Sequence, residues 1–140
     1  MSRPDPVRRF LAQRGSPQRV VQGGLAGLVA DWERIAGQIE AGYPLGLDDY
    51  LDDMDARQLI ERALPLAPAA GRAPAEERVA RADARVRAHV RAVKGCLWGP
   101  RVAASEGWIA EVNWWYFAVP TAPGPLLREE LGRRGRQRRG

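Results

Sequence analysis

The chain has 140 residues with a formal charge of +5, 28% charged residues and 45% hydrophobic ones. That is one domain's worth of sequence, long enough to bury a core without disulfides or a structural metal. A single Cys96 excludes a disulfide framework within the chain, and with His89 as the one histidine a zinc site cannot be assembled from Cys and His alone.

The charge is unevenly distributed. Arg133, Arg134, Arg136, Arg138 and Arg139 supply the whole excess, because residues 1–132 hold 17 basic and 17 acidic groups. Within the body, residues 31–61 carry nine acids and two bases, and residues 72–101 carry eight bases and three acids. Such segregation suits an acidic helix pair lying against, or facing, a basic helix. Arg outnumbers Lys 21 to 1, which fits GC-rich coding and a bacterial, cytoplasmic protein as readily as anion recognition by guanidinium forks.

In chain order, residues 1–15 contain Pro4, Pro6, Arg8, Arg9, Arg14 and Gly15 and read as a flexible N-terminal arm. Arg8-Arg9-Phe10-Leu11 has the spelling of a twin-arginine export signal. The apolar repeat that follows runs through the expected cleavage point after Ala30, so export is not the reading adopted. Val21, Leu25, Leu28, Trp32, Ile35 and Ile39 recur at alternating steps of four and three, which predicts a helix over 16–41. Ser16 would cap it, Pro17 would open it and Gly42 would close it. Gly23, Gly24 and Gly27 either fray its start or admit a second backbone. No apolar run reaches membrane-spanning length.

Leu47–Glu61 reads as an acidic pair of short helices. Leu47, Tyr50, Leu51 and Met54 face inward, Asp48/Asp52 and Asp49/Asp53 stack outward at i,i+4, and a second helix begins at Ala56 after an Asp55 cap. Residues 65–74, rich in Pro and Ala, read as a linker. A basic helix is predicted over 74–94 on a Val79, Ala82, Val86, Val90 and Val93 stripe, with His89 at its border as a hydrogen-bonded ring. From Trp108 to Phe117 the period becomes two, with Trp108, Ala110, Val112, Trp114 and Tyr116 on one strand face, and Ser105-Glu106-Gly107 could turn a hairpin. Pro120, Pro123 and Pro125 then force an extended strap, Leu126–Leu131 makes one more turn, and residues 132–140 form a disordered Arg-rich tail.

The fold expected is mainly α. It is a small bundle of two long antiparallel helices plus the acidic pair, closed by an aromatic strap or β-hairpin, with residues 16–131 as the single domain. Two surfaces could carry function. Asp48, Asp49, Asp52 and Asp53 have the DDxxD spacing with which prenyl-transfer enzymes hold Mg2+ and a diphosphate. Compact all-α nucleotide pyrophosphohydrolases are the nearer analogy, with Glu33 or Glu40 as acids from a second helix, but the match ends at the acidic spacing. The other surface is aromatic, since six of the ten aromatic residues lie between Trp98 and Phe117.

The leading reading is a non-enzymatic module that docks a protein partner through Trp108, Trp114, Trp115, Tyr116 and Phe117 or through Asp48, Asp49, Asp52 and Asp53, with no cofactor and with homodimerisation open. The alternative is a Mg2+-dependent phosphate or diphosphate hydrolase on the same four aspartates. A weaker one is nucleic-acid association through the Arg tail, which would be salt-sensitive and sequence-blind. Pro120-Thr121-Ala122-Pro123 has a late-domain spelling taken as chance, and the Gly23-Gly24-x-x-Gly27 cluster does not follow a strand, so it is no dinucleotide fingerprint.

Overall fold

The computed structural model describes residues 5–139, with side chains as far as Gly135. Helices α1 (Pro6–Gln13), α2 (Gln18–Ala41), α3 (Leu47–Ala63) and α4 (Ala69–Arg87) are followed by strand β1 (Val90–Ala92), helix α5 (Pro100–Glu106), strand β2 (Ala118–Pro120) and helix α6 (Pro125–Arg139). β1 and β2 form a two-stranded antiparallel sheet with Arg91 opposite Val119. The fold is thus mainly α, a small bundle closed by a short β-pairing near the C-terminus, as expected.

The long apolar repeat does what its spacing dictates. Leu28, Trp32, Ile35 and Ile39 are buried along α2. The glycines act differently from one another. Gly24 takes φ +58 and breaks the helical backbone there, a conformation that disfavours any L side chain. The residues after it turn away from the first turns, and a Cβ at Gly23 or Gly27 would meet nothing within 4 Å, so no backbone of this chain approaches there. The elbow leaves a groove of about 350 Å³ lined by Arg19, Val20, Leu28 and Arg34. Pro17, not Ser16, occupies the cap of α2.

Several boundaries differ from the sequence expectation. The arm expected over 1–15 contains α1. Asp5 caps it, accepting from the Val7 N–H at 2.9 Å; Pro6 opens it, and Val7 and Leu11 are buried. The acidic segment is one 17-residue helix rather than two. Asp55 does not cap a second helix, because its carboxylate accepts from Tyr116 and Trp98 instead. Tyr50, Met54, Arg57 and Ile60 continue one buried stripe through the supposed break.

The linker expected over 65–74 is largely helical, since α4 begins at Ala69 and carries Pro74 within it. Arg72 ties the short connection down by donating to the Ala67 carbonyl at 2.6 Å and the Pro65 carbonyl at 3.0 Å. α4 ends at Arg87 rather than 94, because Val90–Ala92 pairs with β2. The end expected as a disordered tail continues α6 to Arg139.

The two long helices, expected antiparallel, run in the same direction. Arg78 binds Glu33 and Arg85 binds Glu40, each pair 45 residues apart in sequence. A constant separation is possible only if both helices advance together. The reason is α3: as one long helix with short connections at both ends, it carries the chain back between them.

A buried ion pair joins these three helices. Arg57, 6% exposed, donates from Nε to Asp83 Oδ1 and from Nη2 to Asp83 Oδ2, both at 2.9 Å. Its Nη1 reaches Glu61 at 3.1 Å, and its guanidinium lies 4.4 Å over the Trp115 ring. Asp83 also accepts from Trp32 Nε1 at 2.8 Å. Both charges are satisfied, which is the condition for tolerating them in a core.

Removing Arg57 leaves the Asp83 carboxylate, 18% exposed, without its guanidinium. Arg57→Met is therefore expected to cost about 2–3 kcal/mol in urea unfolding, less than a fully buried pair would. Arg57→Met combined with Asp83→Leu should cost less than the two single substitutions summed; additive losses would show that the pair is not coupled.

Candidate functional site

The aromatic run was expected to alternate as a strand. Instead, α5 ends at Gly107, whose φ of +75 turns the chain, and a 3-10 turn spans Trp114–Phe117 before β2. Asn113, which sequence reasoning did not single out, clamps this arrangement. Its Oδ1 accepts from the Ile109 N–H at 3.1 Å, and its Nδ2 donates to Gln58 Oε1 at 3.0 Å. An Asn directly before four successive aromatics was the available signal that the stretch is not a plain strand.

A 3-10 turn has about three residues per turn, so four successive side chains point three ways and the first and fourth share a side. Trp115 is buried against Arg57, its ring facing the guanidinium, and its Nε1 has no hydrogen-bond partner among the described residues. Tyr116 is buried and donates its hydroxyl to Asp55 Oδ1 at 2.5 Å. Trp108, half-buried, stacks on Tyr116 with centroids 3.9 Å apart and 18° between planes.

Trp114 and Phe117, the eclipsed pair, share one side of the turn and are half-buried against the core. With Val90, Ala92 and Ala110 they line an open hollow of about 310 Å³. The Arg87 guanidinium lies 4.3 Å above the Trp114 ring at its rim, a geometry that favours the cation. On the other side of the aromatic turn lies a more polar cleft of about 210 Å³, lined by Arg14, Asp55, Arg62, Glu106, Trp108 and Tyr116. Arg62 and Glu106 close its mouth at 3.2 Å.

The four aspartates of the DDxxD spacing are not brought together as ligands. Asp48 and Asp52 are exposed. Asp49 accepts from the Gly46 N–H at 3.3 Å, and Asp53 accepts from the Tyr43 hydroxyl at 2.5 Å. Glu33 and Glu40 are paired with Arg78 and Arg85. Among the described residues no group of three or more His, Cys, Asp or Glu could hold a metal ion.

The basic end is partly engaged as well. Arg133 lies 3.9 Å from Glu129 and Arg134 donates to the Leu97 carbonyl, while the side chains of Arg136, Arg138 and Arg139 lie outside the described residues. His89 is half-buried with Nδ1 3.0 Å from the Arg85 carbonyl. No described helix is long and apolar enough to cross a membrane.

Comparison with known proteins finds no matching family model, no similar curated protein and no similar solved structure.

Burial raises the Asp55 carboxyl above its usual range, more than the bonds from Tyr116 and Trp98 lower it. The native state therefore holds this proton more tightly than the unfolded chain does. The stability it contributes is present at low pH and lost as pH rises through the folded value. For Asp55→Asn, whose amide oxygen can still accept, stability relative to the parent should move in the variant's favour between about pH 4 and pH 7. Urea midpoints that keep a constant difference over that range would remove Asp55 as a titrating group.

Proposed function

We propose that the protein is a non-enzymatic interaction module that docks a protein partner on its aromatic side. One observation carries this reading: Trp114 and Phe117, half-buried against the core, leave an open apolar hollow at the surface. The neighbouring stretch supports it. Among the described residues seven large hydrophobic side chains are exposed, and Trp98, Val102, Ile109 and Val112 are four of them. α5, between the first and last of these, buries none of its own residues. Ala103 alone of α5 packs partly against the core, so most of this helix's surface is open to another contact.

The remaining expectations have less support. Asp49 and Asp53 serve a helix N-terminus and a tyrosine, which takes away the converging oxygens that a Mg2+-dependent hydrolase needs. Asp48 and Asp52 stay available as a secondary contact surface. For nucleic acid, Arg133 and Arg134 already have partners within the chain. A bacterial, cytoplasmic setting is part of the proposal, supported by the Arg-over-Lys usage and the free, buried Cys96 thiol.

A photo-crosslinking amino acid at Ala110 or Val112, introduced in the protein's own host, should capture a discrete protein that a crosslinker at Glu76 on α4 does not. Ile109→Asp with Val112→Asp should cut that capture at least tenfold without moving Tm, since both side chains are exposed. Equal capture from all three positions, or none, would overturn the reading.

A further inference from the structure

β1 has a free edge. Its bonds to β2 run through alternate residues: the Val93 N–H donates to the Phe117 carbonyl at 2.8 Å, and the His89 carbonyl accepts from the Thr121 N–H at 2.9 Å. With Arg91 opposite Val119, residues 89, 91 and 93 turn their backbone groups toward β2, and Val90 and Ala92 turn theirs away. Pro120 pairs with Val90 at a position where no N–H is needed between the strands. Among the described residues the sheet has two strands, and Ala92 is exposed. The N–H and C=O groups of Val90 and Ala92 therefore face outward with no partner among the described residues.

The side chains beside this edge are matched to it. Val90 and Ala92 stand on one sheet face and help line the Trp114–Phe117 hollow. Arg91 stands on the other face, Lys94 follows the strand and Arg87 precedes it. Among the described residues none of these three cations forms an ion pair. An unpaired edge, an apolar hollow on one face and uncompensated positive charge around it define a single kind of occupant.

We infer that β1 is a docking edge for an extended acidic peptide segment, which adds to the sheet as a third strand. Its apolar side chains enter the hollow lined by Trp114 and Phe117, with Arg87 at the rim, and its alternate carboxylates meet Arg91 and the flanking Lys94. Backbone bonds to Val90 and Ala92 set the register, and the side-chain alternation sets the specificity. This rests on the interaction reading above and names the mode and chemistry of the partner at that site.

The test uses the full chain and a fluorescein-labelled ten-residue peptide alternating valine with aspartate, with one valine replaced by phenylalanine. Anisotropy titration should give saturable binding. Replacing the aspartates by lysines should abolish it, and N-methylating alternate amides on the bonding edge should weaken it at least tenfold. Arg91→Glu with Lys94→Glu should weaken it at least tenfold and shift preference toward the lysine peptide. Ala92→Pro, which removes an outward N–H, should weaken it similarly with far-UV circular dichroism unchanged; if that variant does not fold, the methylated peptide carries the same test on the parent protein.

Absence of saturable binding, equal binding of the lysine peptide, or indifference to N-methylation would overturn the inference. If those results come with discrete capture at Ala110 and Val112, the module stands and only the strand-addition mode fails. If the capture is lost too, the interaction reading fails with it.

Discussion

The Arg57–Asp83 pair is the constraint on which the rest of the structure depends. A buried guanidinium and carboxylate are tolerated only while every donor and lone pair is met. Here meeting them draws on α2 through Trp32, α3 through Arg57 and Glu61, α4 through Asp83, and the aromatic turn through Trp115. Apolar contacts alone would allow the helices to slide or rotate by a residue at modest cost. A bidentate pair with a third donor on the same carboxylate does not, because a small shift leaves a charge stranded. The helical layers and the position of the aromatic turn are fixed by one set of bonds.

That fixed position decides what the aromatic residues do. With Trp115 held against Arg57, the threefold geometry of the turn sends Tyr116 to Asp55 and leaves Trp114 and Phe117 half-buried beside a surface hollow. The shared side of these two rings follows from satisfying the core pair with a turn of three residues per revolution. Asp55 extends the same logic outward: it accepts from Tyr116 in the core and from Trp98 at 3.1 Å on the exposed stretch. The surface segment is thereby tied to the centre of the bundle by one half-buried carboxylate.

The helices with a strong local period were legible from sequence. The Leu28, Trp32, Ile35 and Ile39 part of the α2 repeat and the Val79, Ala82, Val86 stripe of α4 appear as buried faces, while Val21 and Leu25, beside the Gly24 break, are half-buried. What was not legible depends on contacts made across the fold. Arg57 looks like a surface residue until Asp83, 26 positions away, is brought beside it, so the continuity of α3 was hidden by a charge in its buried stripe. The direction of α4 relative to α2 followed from that same continuity. The aromatic alternation was misleading because period two in side-chain type does not require period two in backbone; Asn113 binds Ile109 and Gln58 and folds the run into a turn. Residues 6–13 carried legible signals, an Asp cap, a Pro at the first position and Val7 with Leu11 at i,i+4, but Pro and Arg content outweighed them in the reading.

The segregation of charge in the sequence is largely resolved inside the molecule. The acidic stretch and the basic stretch meet as Glu33 with Arg78, Glu40 with Arg85, and Asp83 with Arg57 across α2, α3 and α4. Part of what those pairs leave over sits at helix ends. Asp48 begins α3, where the helix dipole favours an acid, and Arg87 ends α4, where it favours a base, with Arg91 and Lys94 just beyond. Because α4 runs with α2 and α3 returns between them, the start of α3 and the end of α4 lie at the same end of the bundle. Arg87, Arg91 and Lys94 at and beyond the end of α4 border β1, whose Val90 and Ala92 backbone groups face away from β2, and this is the arrangement the proposed docking edge uses.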